Sequence, residues 1–258
     1  MKKIIFFLFL SSLITIPARA QKKSYQGGEW FKFRIHYGWF NASYATLEAK
    51  SETYESKEVY HIVGKGKSTG LLDVFFKVDD NYETYIEQDT DLPLKFVRDI
   101  NEGGHTKNKI IYFDQDLNKA KVKNLENNKE ETFTTKSNVQ DMLSVFYYLR
   151  NQIDIDNLEK GDEIFVDLFF DSENYKFKTV FLGHEVLKTK FGKINSLKFR
   201  PYVQADRIFK EEESLTFWVS NDENKIPLKI RADLAVGSLE ADLEAFKGLS
   251  HSFKVIVD

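Results

Sequence analysis

The sequence has 258 residues, a formal net charge of −3, no cysteine and 15% aromatic residues. The absence of cysteine excludes disulfides, a thiolate nucleophile and cysteine-ligated metals. Acidic and basic residues alternate along the chain, and the lack of a basic face argues against nucleic acid as a partner. A high aromatic content with only four prolines is typical of half-buried β-strands.

Residues 1–20 have the three parts of a secretory signal peptide. Lys2 and Lys3 precede a short apolar run, and the small residues Ala18 and Ala20 stand at the expected cleavage point. A membrane anchor is the alternative, but the apolar run is too short to span a bilayer comfortably. The leader therefore predicts export.

Cleavage after Ala20 would leave a single exported β domain, residues 21–258, with a formal charge of −6. No cysteine follows the cleavage point to carry a lipid anchor, and no second apolar run is long enough to cross a membrane. We expect a periplasmic or outer-membrane-associated protein. Without disulfides, its stability must come from the apolar core.

Alternating apolar and polar residues predict strands along most of the exported chain. In residues 30–37, for example, Phe31, Phe33 and Ile35 share one face. The apolar segment 70–76 could be one helical turn. The predicted strands are 30–37, 42–50, 59–67, 78–88, 94–100, 109–114, 119–124, 132–135, 164–171, 175–182, 185–189, 193–203, 215–220, 228–236, 239–246 and 252–257. Short strands separated by polar turns indicate an antiparallel meander.

Residues 138–151 are the one convincing helix after the leader, and Ser137 with Gln140 fits a capping box at its start. Its apolar arc covers about 200°, much more than the roughly 100° of a surface helix. Arg150 lies inside this arc and is expected to extend its charged head to solvent. The predicted fold is mainly β: a strongly curved antiparallel sheet, a half-barrel or open barrel, wrapped around one central helix.

A short motif occurs twice, as Leu92-Pro93-Leu94-Lys95-Phe96-Val97-Arg98 and as Ile226-Pro227-Leu228-Lys229-Ile230-Arg231. Proline fits the first residue of a strand, where its missing N–H does least harm. The motif can mark a hairpin device used twice or two related β halves, and the thin match around it favours the first interpretation.

Motifs that could carry chemistry are incomplete. Gly66-Lys67-Ser68 lacks the first glycine of a phosphate-binding loop, and Asp114–Asn118 lacks the glycine and glutamate of a calcium loop. The five histidines, His36, His61, His105, His184 and His251, show no ligand-pair spacing. We therefore predict no catalytic residue, no metal site and no cofactor. A site assembled from distant Ser, His and Asp residues would not be visible in the sequence.

Several segments resemble an exported bacterial family of unknown function, numbered 3108, in its Bacteroidetes form. They are Gly28-Glu29, residues 59–66, residues 75–80, Leu92-Pro93-Leu94, residues 138–143 and residues 200–204. The resemblance implies a cell-envelope protein and supplies no activity and no functional residues. The expected layout is also similar to the lipoprotein-carrier proteins of the periplasm, which is an analogy of fold alone.

The function expected from the sequence is a non-catalytic binding or scaffold protein of the cell envelope, with a lipid, a lipoprotein or another envelope protein as partner. A lipid-like ligand could lie between sheet and helix, lined by Phe146, Tyr147 and Trp218, although a filled interior would use the same aromatic residues. The alternatives are an envelope hydrolase and a purely structural protein-interaction module.

Overall fold

A computed structural model describes residues 23–69, 73, 77–202 and 215–257. The predicted leader, and all of segment 70–76 except Asp73, lie outside the described residues. The described chain is mainly β, as predicted. Its strands are β1 (Trp30–Tyr37), β2 (Phe40–Tyr54), β3 (Lys57–Ser68), β4 (Asp79–Glu87), β5 (Pro93–Glu102), β6 (His105–Asp114), β7 (Lys119–Asn124), β8 (Lys129–Thr134), β9 (Glu163–Phe170), β10 (Glu173–Thr189), β11 (Gly192–Tyr202), β12 (Leu215–Ser220), β13 (Pro227–Asp233) and β14 (Ser238–Lys247).

All fourteen strands belong to one antiparallel sheet, in the order β8-β7-β6-β5-β4-β3-β2-β1-β14-β13-β12-β11-β10-β9. Every strand pair except one joins neighbours in sequence. The exception is β1 with β14, where Phe33 lies opposite Leu243. The sheet therefore consists of two meanders, β1–β8 and β9–β14, that meet at the β1–β14 pair. We call this pair the seam.

The outermost strands β8 and β9 are not paired with each other in the described sheet. The predicted strongly curved half-barrel or open barrel is therefore corrected: the sheet is open, and it is neither closed nor strongly curled into a barrel. The two ends of the sheet contact each other through side chains. The ring centroids of Phe133 on β8 and Phe169 on β9, for example, are 5.8 Å apart. Backbone pairing at the β9 edge is instead made by Gln140, which bridges to Leu168.

The helix α1 spans Ser144–Gln152, so the predicted start at residue 138 is wrong. The predicted capping box also fails. Asn138 has a φ of 55°, which is incompatible with a helix start there. Gln140 donates its backbone N–H to Asp167 O and accepts from Phe169 N–H, both at 2.9 Å. Pairing with β9 therefore takes the backbone that a helix at 138–143 would need.

The core lies between the sheet and α1. Val145 and Leu149 of α1 pack with β9–β12 in one apolar cluster, together with Val166, Phe181, Leu197, Phe199 and Val219. Tyr147, on another side of α1, packs with Tyr25, Ala49, Ile62 and Ile86. The short helix thus contacts both meanders, which explains its wide apolar arc.

Three further predictions can be compared with the strands. The predicted strand 252–257 is wrong, since only the isolated bridge Lys193–Ile256 forms there. Segments 175–182 and 185–189 form one strand, β10, with a register shift between Phe181 and Gly183. Pro93 and Pro227 each begin a strand, as the repeated motif predicts.

Candidate functional site

The three predicted lining residues do not share one surface. Tyr147 is fully buried, with Phe146 packed at its edge, their ring centroids 5.3 Å apart. Trp218 is 6% exposed and belongs to a different apolar cluster, built around the seam. Its indole N–H donates to Glu185 at 3.2 Å. A ligand-lining role for these residues stays a prediction, and the geometry gives them packing roles.

Arg150 is buried, with 1% exposure, so the expectation that its head reaches solvent is wrong. Its two terminal nitrogens donate to the two carboxylate oxygens of Glu29, at 2.6 and 2.7 Å. The guanidinium also donates to the backbone carbonyls of Ser24 and Asn224, at 3.0 Å each. This fork satisfies a buried charge and ties the start of the described chain to α1.

The contact between Ser24 and Lys225 bears most directly on the alternative that the protein is a hydrolase. Lys225 Nζ donates to Ser24 Oγ at 3.2 Å, and burial, followed by the nearby Arg150 charge, lowers the pKa of the lysine. A serine beside an amine of lowered pKa is an arrangement used in catalysis. However, Ser24 Oγ donates its proton to Arg150 O at 2.7 Å, and Ser24 is only 4% exposed. The hydroxyl is thus engaged and inaccessible.

Two surface depressions lie elsewhere. One of about 600 Å³ is open to solvent and is lined by Glu223, Ser250, His251, Ser252 and Lys254. Another of about 300 Å³ lies at the end of α1, beside Ile153 and Leu158. Both have mixed polar and apolar walls, and neither includes Phe146, Tyr147 or Trp218. They do not supply the enclosed apolar site predicted between sheet and helix.

An exposed surface of large apolar side chains lies at two neighbouring hairpin turns. The β1–β2 turn exposes Trp39, and the β13–β14 turn exposes Val236, with exposed fractions of 90% and 77%. We call this surface the apolar tips. Its members are Tyr37, Trp39, Phe40, Leu234, Val236 and Leu239, each at least 39% exposed.

Specific contacts hold the apolar tips side by side. Tyr37 pairs with Leu239 across the seam, and its hydroxyl donates to Val236 O at 2.8 Å. Gly237 has a φ of 70°, and a Cβ there would lie 2.7 Å from the Tyr37 hydroxyl oxygen. A larger residue here would have a strained backbone and would push the Tyr37 ring away, so glycine suits the close approach of the two turns. The rings of Trp39 and Phe40 lie 5.4 Å apart, edge to face.

In the sequence these residues are predicted to be a connection and the end of a strand, and their joint exposure is not predicted. A signal was available, because hairpin turns are normally polar and both of these turns carry large apolar residues beside glycine. Their proximity was not visible. It depends on the seam, which joins residues about 200 positions apart.

One group of described residues has a geometry that could hold a metal ion: His36, Glu240 and Asp242. Their nitrogen and oxygen atoms lie within 4.8 Å of one another. The group lies on β1 and β14, immediately below the apolar tips. No metal site is predicted from the sequence, because ligands so far apart along the chain have no recognisable spacing.

The fold and this surface define a mainly β protein with a single open sheet and an apolar end. The sequence matches the family described as "Protein of unknown function (DUF3108)" over residues 32–244, and the chain belongs to that family. No curated protein is significantly similar to the sequence. No helix among the described residues is long and apolar enough to cross a membrane.

A solved structure supports the fold. The chain is similar to a β-barrel-like protein of the domain of unknown function DUF1849 from Brucella abortus, with a TM-score of 0.58, 12% identity and coverage of 86% of this chain and 98% of that one. It also matches a putative lipoprotein from Parabacteroides distasonis, with a TM-score of 0.35, 13% identity and coverage of 86% and 96%. At such identities the first match shows the fold alone, and the second carries no argument.

Proposed function

We propose that the protein is a non-catalytic binding protein of the cell envelope, and that it attaches to a lipid surface through the apolar tips. The observation that carries the proposal is the joint exposure of Trp39 at 90% and Val236 at 77% on adjacent turns. Contiguous exposed apolar groups mark surfaces that contact a partner or a membrane. The predicted export of the chain would bring it to a compartment bounded by lipid.

The chemistry of the apolar tips favours lipid over a protein groove. Tryptophan and tyrosine are enriched where hydrocarbon meets water, because each has an apolar ring and a polar group. Several backbone polar groups of the turns also have internal partners. Tyr37 and Phe40 pair across a two-residue turn, and Leu234 N–H donates to Gly237 O at 3.0 Å. Backbone that enters hydrocarbon must have such internal partners.

Vesicle binding tests the proposal. Purified protein is incubated with vesicles of phosphatidylethanolamine and phosphatidylglycerol, and binding is measured by co-sedimentation. We expect the unmodified protein to sediment with the vesicles, and Trp39→Ser with Val236→Ser to weaken binding at least about tenfold, because two apolar side chains no longer leave water. Quenching of tryptophan fluorescence by brominated lipid would locate Trp39 in the bilayer.

The matched control replaces exposed apolar residues far from the apolar tips, Leu117→Ser with Val257→Ser. These residues are 62% and 89% exposed. The control should bind vesicles as the unmodified protein does. Equal loss in both double variants, or no vesicle binding by the unmodified protein, would overturn the proposal and favour a protein-interaction module.

A further inference from the structure

We propose that His36, Glu240 and Asp242 form a zinc site on the polar face of the seam. The proposal does not depend on attachment to lipid, since it rests on different side chains and has a separate readout. His36 lies directly opposite Glu240 in the β1–β14 pair. Asp242, two residues further along β14, presents its side chain on the same face.

The orientation of the His36 ring is fixed. Its Nδ1 lies 2.6 Å from the backbone oxygen of Gly38, which can only accept a hydrogen bond. Nδ1 therefore carries the proton, and in the neutral ring Nε2 presents a lone pair. A ring N–H held by a backbone carbonyl is the usual outer-shell support of a metal-binding histidine.

The groups that face Nε2 are anionic. Nε2 lies 2.8 Å from Asp242 Oδ2 and 3.9 Å from Glu240 Oε2. A lone pair directed at two carboxylates is unfavourable unless a proton or a metal cation lies between them. The side chains of His36, Glu240 and Asp242 are 8%, 16% and 32% exposed, so water screens this repulsion only in part.

The donor set fits zinc better than calcium or magnesium. Zinc is bound by imidazole nitrogen and by carboxylate oxygen, and an open zinc site has three protein ligands with a position left for water, as this group could provide. Calcium and magnesium prefer oxygen ligands alone. The ligands come from paired strands, so the backbone already holds them near one another and little ordering is needed to bind the ion.

Lys229 is the competitor for this site. Its Nζ lies 2.6 Å from Glu240 Oε2 and 3.4 Å from Asp242 Oδ1. Arg34 and Arg231 approach the same carboxylates less closely, at 3.9 and 3.6 Å. The ammonium of Lys229 thus balances the charge when zinc is absent, and its flexible stem lets it move away when the ion binds.

Titration calorimetry with zinc chloride on the purified protein tests the site. We expect one zinc ion per chain, with affinity at least about tenfold lower in His36→Gln and in Asp242→Asn. Lys229→Met should bind zinc more tightly than the unmodified protein, because the competing ammonium is gone. A purely structural ion-pair network would not give this increase.

His61→Gln is the matched control. The His61 ring also faces two carboxylates, but Glu52 contacts Nδ1 and Glu83 contacts Nε2, so they cannot converge on one ion. This variant should keep the zinc affinity of the unmodified protein. Absence of saturable binding, unchanged affinity in His36→Gln, or weaker affinity in Lys229→Met would overturn the proposal. If His36→Gln failed to fold, Asp242→Asn and Lys229→Met would decide the outcome.

Discussion

At the scale of single residues, the buried ion pair between Arg150 and Glu29 joins the start of the described chain to α1. Both side chains are almost completely buried, at 2% and 0% exposure. The guanidinium also lies over four aromatic rings, with its carbon 5.4–5.6 Å from the ring centroids of Tyr25, Phe31, Phe146 and Tyr147. Removing one charge would leave the other without a partner in a site with little water.

We therefore expect Glu29→Gln to lower the free energy of unfolding by about 3–5 kcal/mol, the usual cost of an unpaired buried charge. Urea denaturation followed by circular dichroism measures this. Glu163→Gln is the control, because the pair of Glu163 with Lys178 is exposed and should contribute no more than about 1 kcal/mol. Equal, small losses in the two variants would show that Arg150 finds another acceptor.

The partner of Arg150 could not be predicted from the sequence. The arc of apolar residues correctly placed Arg150 on the buried side of the helix, and the usual behaviour of arginine then suggested that its head reaches solvent. Glu29 lies 121 positions away and precedes a strand that pairs with other strands. Only the packed structure brings the two charges together. The group of His36, Glu240 and Asp242 could not be predicted either, because these residues are also far apart in sequence and meet only in the folded sheet.

At the scale of secondary-structure elements, the sequence predicts strand bounds accurately where apolar and polar residues alternate regularly. The alternation in residues 30–37, 119–124 and 215–220 gave the bounds of β1, β7 and β12 as observed. The start of α1 was wrong, because a local capping signature competed with pairing to β9. The cap that forms lies four residues later, where Leu143 and Ser144 donate backbone N–H groups to Asp141 Oδ1 at 2.8 Å.

The burial of Asp141 at this cap predicts how the stability of the fold depends on pH. Burial raises the pKa of this carboxyl from 3.8 to about 6, although Thr84 and the N–H groups of α1 stabilise the ionised form. An acid whose pKa is higher in the folded state favours folding below its unfolded pKa, and this contribution is lost as pH rises through the folded pKa. Asp141 should therefore cost the protein up to about 3 kcal/mol of stability between pH 4 and pH 6.

Asp141→Asn removes this titration and keeps an oxygen that can accept from the N–H groups at the start of α1. The variant should lose less stability than the unmodified protein between pH 4 and pH 6. Urea denaturation at several pH values, with both proteins compared at each pH, measures the difference. Parallel pH profiles for the two proteins would mean that Asp141 stays ionised throughout this range.

At the scale of the whole molecule, the sequence predicted the antiparallel meander but not its arrangement. Neighbouring strands pair because the chain between them is short, and this much is local. The seam is not local, since it pairs the first strand with the last. Nothing in the composition of β1 or β14 identifies the other as its partner, and the open edges at β8 and β9 follow from that pairing. The wide apolar arc of α1 therefore predicts a strongly curved half-barrel or open barrel, a curvature that the sheet does not adopt.

The central position of the seam predicts that a proline in β14 destabilises the whole sheet. Ala241 of β14 lies between Ile35 of β1 and Ile230 of β13, in the middle of the sheet. Proline at this position removes an N–H from a central strand, where it is not tolerated. Ala241→Pro should therefore lower the free energy of unfolding by on the order of a few kcal/mol and destabilise both meanders together.

The control is Glu131→Pro. Glu131 lies on the outermost strand β8 and is paired on one side only, with Val122, so proline there should lower the free energy of unfolding much less. Denaturation of each variant is followed by the fluorescence of Trp30, Trp39 and Trp218 and by circular dichroism of the whole sheet. Coincident transitions with a lower midpoint in Ala241→Pro are expected if the sheet unfolds as one unit. Two separated transitions would instead show that each meander is stable without the seam.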